Sequence, residues 1–210
     1  MTEAHRMTEA MRERNPRGHG SRLREEILAA ATDLLEETGS EQAVTLRAVA
    51  RRVGISAPSI YAHFPDREAI VGAIIDSAFS DFNAAIYAAT EGVGPADPLG
   101  RLHAGCMAYV RFAADRPERY RLLFERRATE PTGTPVPSVR TESFGWLVAA
   151  LQECVDAGIS TSEDAARDAT VIWTALHGYA TLHSLIPGFP WPDSAVMLDR
   201  IVSGSGQVRD

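Results

Sequence analysis

From residue 21 onward, apolar positions recur at steps of three and four along most of the chain. Leu23, Ile27, Ala30, Ala31, Leu34 and Leu35 fall on one stripe between Ser21, a capping residue, and Gly39, a natural stop. This predicts an amphipathic first helix. Thr45 can accept a bond from the first exposed amides of a short second helix carrying Leu46, Val49, Ala50 and Val53. At Gly54 that helix stops, because glycine accepts the left-handed backbone of a tight corner; Ser56 then caps a third helix running to about His63. Pro65 cannot continue it. Asp66 caps a long helix from Arg67 to about Thr90, with Ile70, Ile74, Ala78, Phe79, Phe82 and Ile86 on its apolar side.

Two glycines and two prolines break the pattern at residues 91–98. Beyond them the periodic segments read as helices at about 99–116, 117–127, 138–157, 163–185 and 193–203, with a flexible loop at 128–137 and a rigid turn at 186–192. No alternating stretch suggests a sheet, and no internal repeat or glycine-rich phosphate loop occurs. The expected fold is all-α, in four parts. Residues 1–20 form a disordered arginine-rich arm, 21–66 a three-helix helix-turn-helix head, 67–90 a connecting helix, and 91–210 a larger helical body.

Two short helices around a glycine make the helix-turn-helix pattern. Ala50 must be small where the helices cross, while Val49, Val53, Ile55 and Ile60 point inward to a third helix. That leaves Arg47, Ala57, Pro58, Ser59, Tyr61 and His63 outward, a set suited to base edges and phosphates if the second helix of the pair enters a major groove. The alternative from the bare pattern is a small helical hairpin that binds no nucleic acid.

The net charge, 21 basic residues against 28 acidic ones or −7, taken alone opposes DNA binding. Its distribution answers the objection. Arg12, Arg14, Arg17, Arg22 and Arg24 gather beside the reading unit with Glu13 as the one acid between them. This arm could reach phosphates or a minor groove; a solvated tail is the alternative. No run of eighteen uncharged apolar residues occurs and the N-terminus is polar, so neither secretion nor a membrane span is expected. Cys106 and Cys154 lack the paired spacing of a zinc site or a disulfide framework and read as reduced core thiols, which points to the cytoplasm.

The continuous run TLRAVARRVGISAPSIYAHFPDREAI after an amphipathic helix resembles the tetracycline-repressor (TetR) family of bacterial transcriptional regulators. RPERYRLLF at 116–124 and WTALHGYATL at 173–182 resemble members with a WHG-type C-terminal domain. The resemblance implies a homodimer on a double-stranded DNA operator, with a small-molecule pocket in each body. Ligand occupancy would move the fourth helix, change the separation of the recognition helices and release the operator. It further implies that Arg47 contacts a base or phosphate and that Ala57, Pro58 and Ser59 read bases, Ser59 and Arg47 carrying the directional bonds. Tyr61 and His63 would grip phosphate, with Thr45 and Arg67 at the flanking helix starts. Ala62 departs from the second aromatic that many relatives carry, which puts one phosphate contact in doubt.

In the body, His103, Cys106, Met107, Tyr109, Phe124, Trp146, Trp173 and His177 are the candidate lining of a pocket for a largely apolar effector; ordinary core is the alternative for each. Small residues amid an excess of apolar ones at 165–185, together with 193–203, suggest the dimer interface. No cofactor, metal or membrane partner is expected. His103 with Cys106 has no third ligand nearby, and His177 with His183 is off one helical face. No nucleophile elbow or carboxylate pair supports an enzyme. A constitutive DNA binder and a cysteine redox switch are the remaining alternatives.

Overall fold

The computed structural model describes residues 19–124 and 138–208. The arm's first eighteen residues and the loop expected at 128–137 lie outside the described residues. Among the described residues are helices α1 (His19–Thr38), α2 (Leu46–Val53), α3 (Ala57–Ile60), α4 (Arg67–Glu91), α5 (Pro98–Asp115), α6 (Pro117–Phe124), α7 (Ser138–Asp156), α8 (Ala165–Leu185) and α9 (Ser194–Ser205). A 3-10 turn at Glu41–Ala43 follows α1, and among the described residues no strand occurs beyond one isolated bridge between Ser160 and Val208. Ser21 stands inside α1, so it is not the cap that the pattern suggested.

Two compact units divide the chain, Met1–Ala73 and Ile74–Asp210, so the division falls within α4 and not at its start. By length and composition α4 could cross a membrane. Its apolar side is instead buried within the protein: Ile70 and Val71 in the first unit, and Ile74, Ala78, Phe79, Phe82 and Ile86 in the second. Each such large side chain contributes roughly 1.5–3 kcal/mol when removed from water.

In the first unit, α1 lies against α2 and α2 against α3. Ile27, Ala31, Val49, Ile60 and Phe64 are almost wholly buried and form its core. Gly39 and Gly54 end their helices with φ of 59° and 78°, left-handed values that favour glycine.

In the second unit, α5 packs on α6, α7, α8 and α9, and α8 also packs on α7 and α9. Aspartates start three of these helices. Asp97 accepts from the Gly100 amide, Asp164 from that of Arg167 and Asp193 from that of Ala195, each at 2.8–2.9 Å. The chain end is clasped to the start of α8. Ser160 Oγ donates to the Gly206 carbonyl (2.6 Å), while buried Asp168 accepts from Ser162 Oγ (2.6 Å), Arg167 Nε (3.0 Å) and Gln207 Nε2 (3.1 Å). Those donors, the Arg167 guanidinium first, hold the Asp168 carboxyl below its ordinary range.

Candidate functional site: an outward reading face and an apolar body cavity

The expected corner is present in detail. Thr45 Oγ1 accepts from the Ala48 amide at 3.1 Å, capping α2, and Gly54 closes it, its backbone N–H donating to the Ala50 carbonyl. α3 is shorter than the pattern implied. Its regular part ends at Ile60, and the backbone turns on through His63 with the amides of His63 and Phe64 both donating to the Ile60 carbonyl. Ser56 precedes α3 without a side-chain cap bond; its hydroxyl lies 2.7 Å from that of Ser59. Ser59 therefore reaches an outside acceptor or donor only by giving up that local bond.

Buried Ile60 and Phe64 fix the roll of this segment, leaving Pro58 and Tyr61 outward, Tyr61 57% exposed. Ala57, Ser59 and His63 are half-buried. On α2, Thr45 and Arg47 are exposed, as is Arg51 one turn beyond Arg47. Arg52, by contrast, is held against α1 by two bonds to Glu37, at 2.7 and 2.5 Å, with Asp33 at 3.6 Å. The Arg67 side chain is also engaged inside the unit, donating to the Val44 carbonyl (3.1 Å), the Glu41 carbonyl (2.6 Å) and Glu68 Oε1 (2.6 Å). It ties the first turn of α4 to the 3-10 turn, so its geometry explains a brace for the unit directly. Arg24 lies over the Phe64 ring at 4.7 Å, a cation–π contact that covers the core from the α1 side.

The second unit contains a narrow, partly open cavity with room for little more than one water molecule, about 20 Å³. Ile86 of α4 and Gly105, Cys106 and Tyr109 of α5 form one side. Ser143, Phe144, Trp146 and Leu147 of α7 face Trp173 and Leu176 of α8 on the others. Phe144 and Trp173 meet edge-on at 5.9 Å, and Trp173 is 38% exposed.

Tyr109, Trp146, Trp173 and Cys106 of the expected lining are thus brought together. Phe124 and His177 stand behind Tyr109 in an aromatic cluster, their rings 5.3 Å apart; His103 and Met107 do not line the cavity. The Tyr120 hydroxyl lies 2.8 Å from His177 Nδ1 and 3.1 Å from the Tyr109 hydroxyl. Burial, with Tyr120 beside it, pushes the Tyr109 phenol far above its usual range, so it stays protonated. Burial likewise pushes Cys106 up to about 12 and Cys154 to about 11, which removes the thiolate a redox switch needs.

Residues 27–74 match the model for bacterial regulatory proteins of the tetR family, and residues 102–203 that for the tetracyclin repressor-like C-terminal domain. The chain belongs to the TetR family. It is 28% identical over 130 residues to the HTH-type transcriptional regulator EthR of Mycolicibacterium smegmatis, a match spanning 60% of this chain and 59% of that curated relative. A Rhodococcus sp. RHA1 protein of unknown function is 30% identical with a TM-score of 0.73, over 92% of this chain and 96% of that one. The fatty acid degradation regulator FadR from Bacillus halodurans, at 16% identity and TM-score 0.65, shares the fold over 87% of this chain and 93% of its own.

Within this TetR-family body, sequence reasoning missed Gly105, Ile86, Ser143, Leu147 and Leu176 as cavity walls. Gly105 had a readable signal, because an interior helical glycine costs about 1 kcal/mol against alanine and so calls for a packing reason. The others carried none, since an apolar residue on a buried stripe looks the same beside a cavity as beside solid core.

Proposed function

We propose that this TetR-family chain is a cytoplasmic, ligand-responsive repressor that binds a near-palindromic operator as a homodimer. The observation that carries the reading is the outward face of the α2–α3 corner. Thr45, Arg47, Pro58 and Tyr61 are exposed there, next to half-buried Ala57, Ser59 and His63, on a frame locked by Gly54, Val49 and Ile60. Arg47 and Ser59 supply directional bonds to base edges, Ala57 and Pro58 supply apolar contact, and Tyr61, His63 and the α2 and α4 helix starts hold phosphates. The brace geometry of Arg67 supports its backbone amide as the contact, with the side chain fixing that amide in place.

A second copy is supported by α8. Val171, Thr174, Gly178, Leu182 and Leu185 follow steps of three and four on one side; Val171, Leu182 and Leu185 are exposed large apolar residues. A Cβ added at Gly178 would meet nothing within 4 Å, so nothing among the described residues requires it to be small. A partner helix crossing closely over it does. Val196 on α9 extends the same apolar exposure. A two-fold dimer places two recognition segments on half-sites about one helical turn apart or more.

A nuclease footprint on the DNA upstream of the protein's own gene and its divergent neighbour tests the reading. A protected palindrome is expected, with binding that weakens steeply as salt rises. Absence of any protected palindrome overturns the reading, and protection that no small molecule relieves leaves a constitutive DNA binder.

A further inference from the structure

The arginines of the first unit divide by what their guanidinium groups already hold. Arg22 is paired with Glu26 at 2.9 Å, Arg52 with Glu37, and the Arg67 side chain with Glu68 and the Val44 and Glu41 carbonyls. Among the described residues, Arg24, Arg47 and Arg51 are exposed and make no hydrogen bond or ion pair. Of these three, Arg24 is the one that rests on a ring: its guanidinium carbon lies 4.7 Å from the centroid of Phe64.

Phe64 is 1% exposed, so the core holds its ring still and the guanidinium lies on a fixed surface. Arg24 stands next to Glu25 in α1 yet pairs with neither it nor Glu26, which Arg22 already satisfies. Stacking engages the flat face of a guanidinium and leaves the N–H donors around its edge unspent. That planar fork matches two oxygens of one phosphate. The stack also removes rotamer freedom that an arginine loose in solvent would lose on binding, so the donors are preorganised.

The position of the ring says which phosphate is in reach. Phe64 directly follows His63 and directly precedes Pro65 and Asp66, the turn into α4. It therefore seats the guanidinium beside the segment proposed above to hold phosphates. That segment has no free guanidinium of its own, because Arg67 is spent as a brace. We infer that Arg24 of α1 is a further DNA contact, holding a backbone phosphate next to the recognition segment in place of the Arg67 side chain. This rests on the operator-binding reading above. A phosphate is the same beside every base pair, so the contact adds affinity without sequence preference.

The test uses the full-length chain, a labelled duplex carrying the protected palindrome and an unrelated duplex of the same length. Affinities are measured along a salt series for wild type, Arg24→Gln, Arg24→Lys and Arg22→Gln, with melting temperatures alongside. Arg24→Gln is expected to reduce the slope of log affinity against log salt by about 0.9 per copy, or about 2 for a dimer, and to weaken both duplexes by the same factor. Arg24→Lys keeps the charge and should keep the slope. Arg22→Gln removes a neighbouring charge that Glu26 already neutralises, and should leave the slope nearly unchanged. A loosened head would weaken binding without changing the slope. Should Arg24→Gln lower the melting temperature, Arg24→Met replaces it, since its apolar chain still covers the ring.

An unchanged slope in Arg24→Gln leaves the ring contact as packing alone and overturns the inference. So does an equal fall in Arg22→Gln, the mark of a diffuse field, or a loss confined to the operator, the mark of a base contact. Wild type that protects no palindrome overturns the repressor reading, and the inference falls with it. Steep salt dependence in the wild type with none of it lost in Arg24→Gln overturns the inference alone.

Discussion

The indole of Trp146 on α7 lies over the bare Cα of Gly105 on α5: a Cβ there would stand 1.9 Å from one ring carbon and 2.5 Å from the next. Two helices approach closely at this point only because one of them lacks a side chain. Gly105→Ala is expected to destabilise the protein by about 1–3 kcal/mol through overpacking, read as a fall in the urea midpoint at unchanged slope. Gly145→Ala is the control. It sits within α7 where a Cβ meets nothing within 4 Å, so it should stabilise by about 0.5–1 kcal/mol.

The corner of the head makes a second pair of expectations. Gly54 holds φ of 78°, so Gly54→Ala should cost about 1–2 kcal/mol whatever space is available. Thr45→Ala loses the cap bond to the Ala48 amide and should cost about 1 kcal/mol. Thermal denaturation of both variants checks the ordering.

On DNA, Arg47→Ala should relax sequence preference, shrinking discrimination at one base position by about 1–3 kcal/mol. Tyr61→Phe should weaken binding to all sequences alike, because a phosphate contact carries no base information. Titrations against an operator and its single-base variants, repeated at two salt concentrations, distinguish the two patterns.

For the second copy, Leu182→Glu places a charge in the middle of the α8 stripe. Exposed in the protomer, this position should leave the fold intact while lowering dimer affinity at least a hundredfold, read by sedimentation. Operator binding should fall with it.

The Asp168 clasp predicts a pH dependence of defined sign. Its carboxyl is held below the ordinary range by Arg167, Ser162 and Gln207, so the unfolded chain binds that proton first as the pH drops. The stabilisation is fully present above about pH 5 and is lost as the pH falls below about 4, through the lowered value. The melting-temperature gap between wild type and Asp168→Asn should therefore be constant near neutrality and close in acid.

Much of the head was legible in the chain itself. Thr45, Gly54 and the Val49–Ile60 spacing act through bonds and backbone angles within a few residues, so local chemistry settles their conformation. The same holds for the helices started by Asp97, Asp164 and Asp193. By itself, then, the sequence determined an all-α chain, the helix-turn-helix corner with Arg47, Pro58 and Tyr61 outward, and the family that this run of residues signals.

Tertiary structure decided what depends on residues distant in sequence. It turned Arg67 from a candidate phosphate ligand's side chain into a brace on Glu41 and Val44, and it paired Arg52 with Glu37 while leaving Arg47 outward. It selected Tyr109, Cys106, Trp146 and Trp173 for the cavity wall and set Phe124 and His177 behind it. A periodic apolar stripe specifies that a helix face is buried but not which neighbour covers it. Whether that neighbour leaves a gap depends on side chains such as Trp146 and on the atom missing at Gly105.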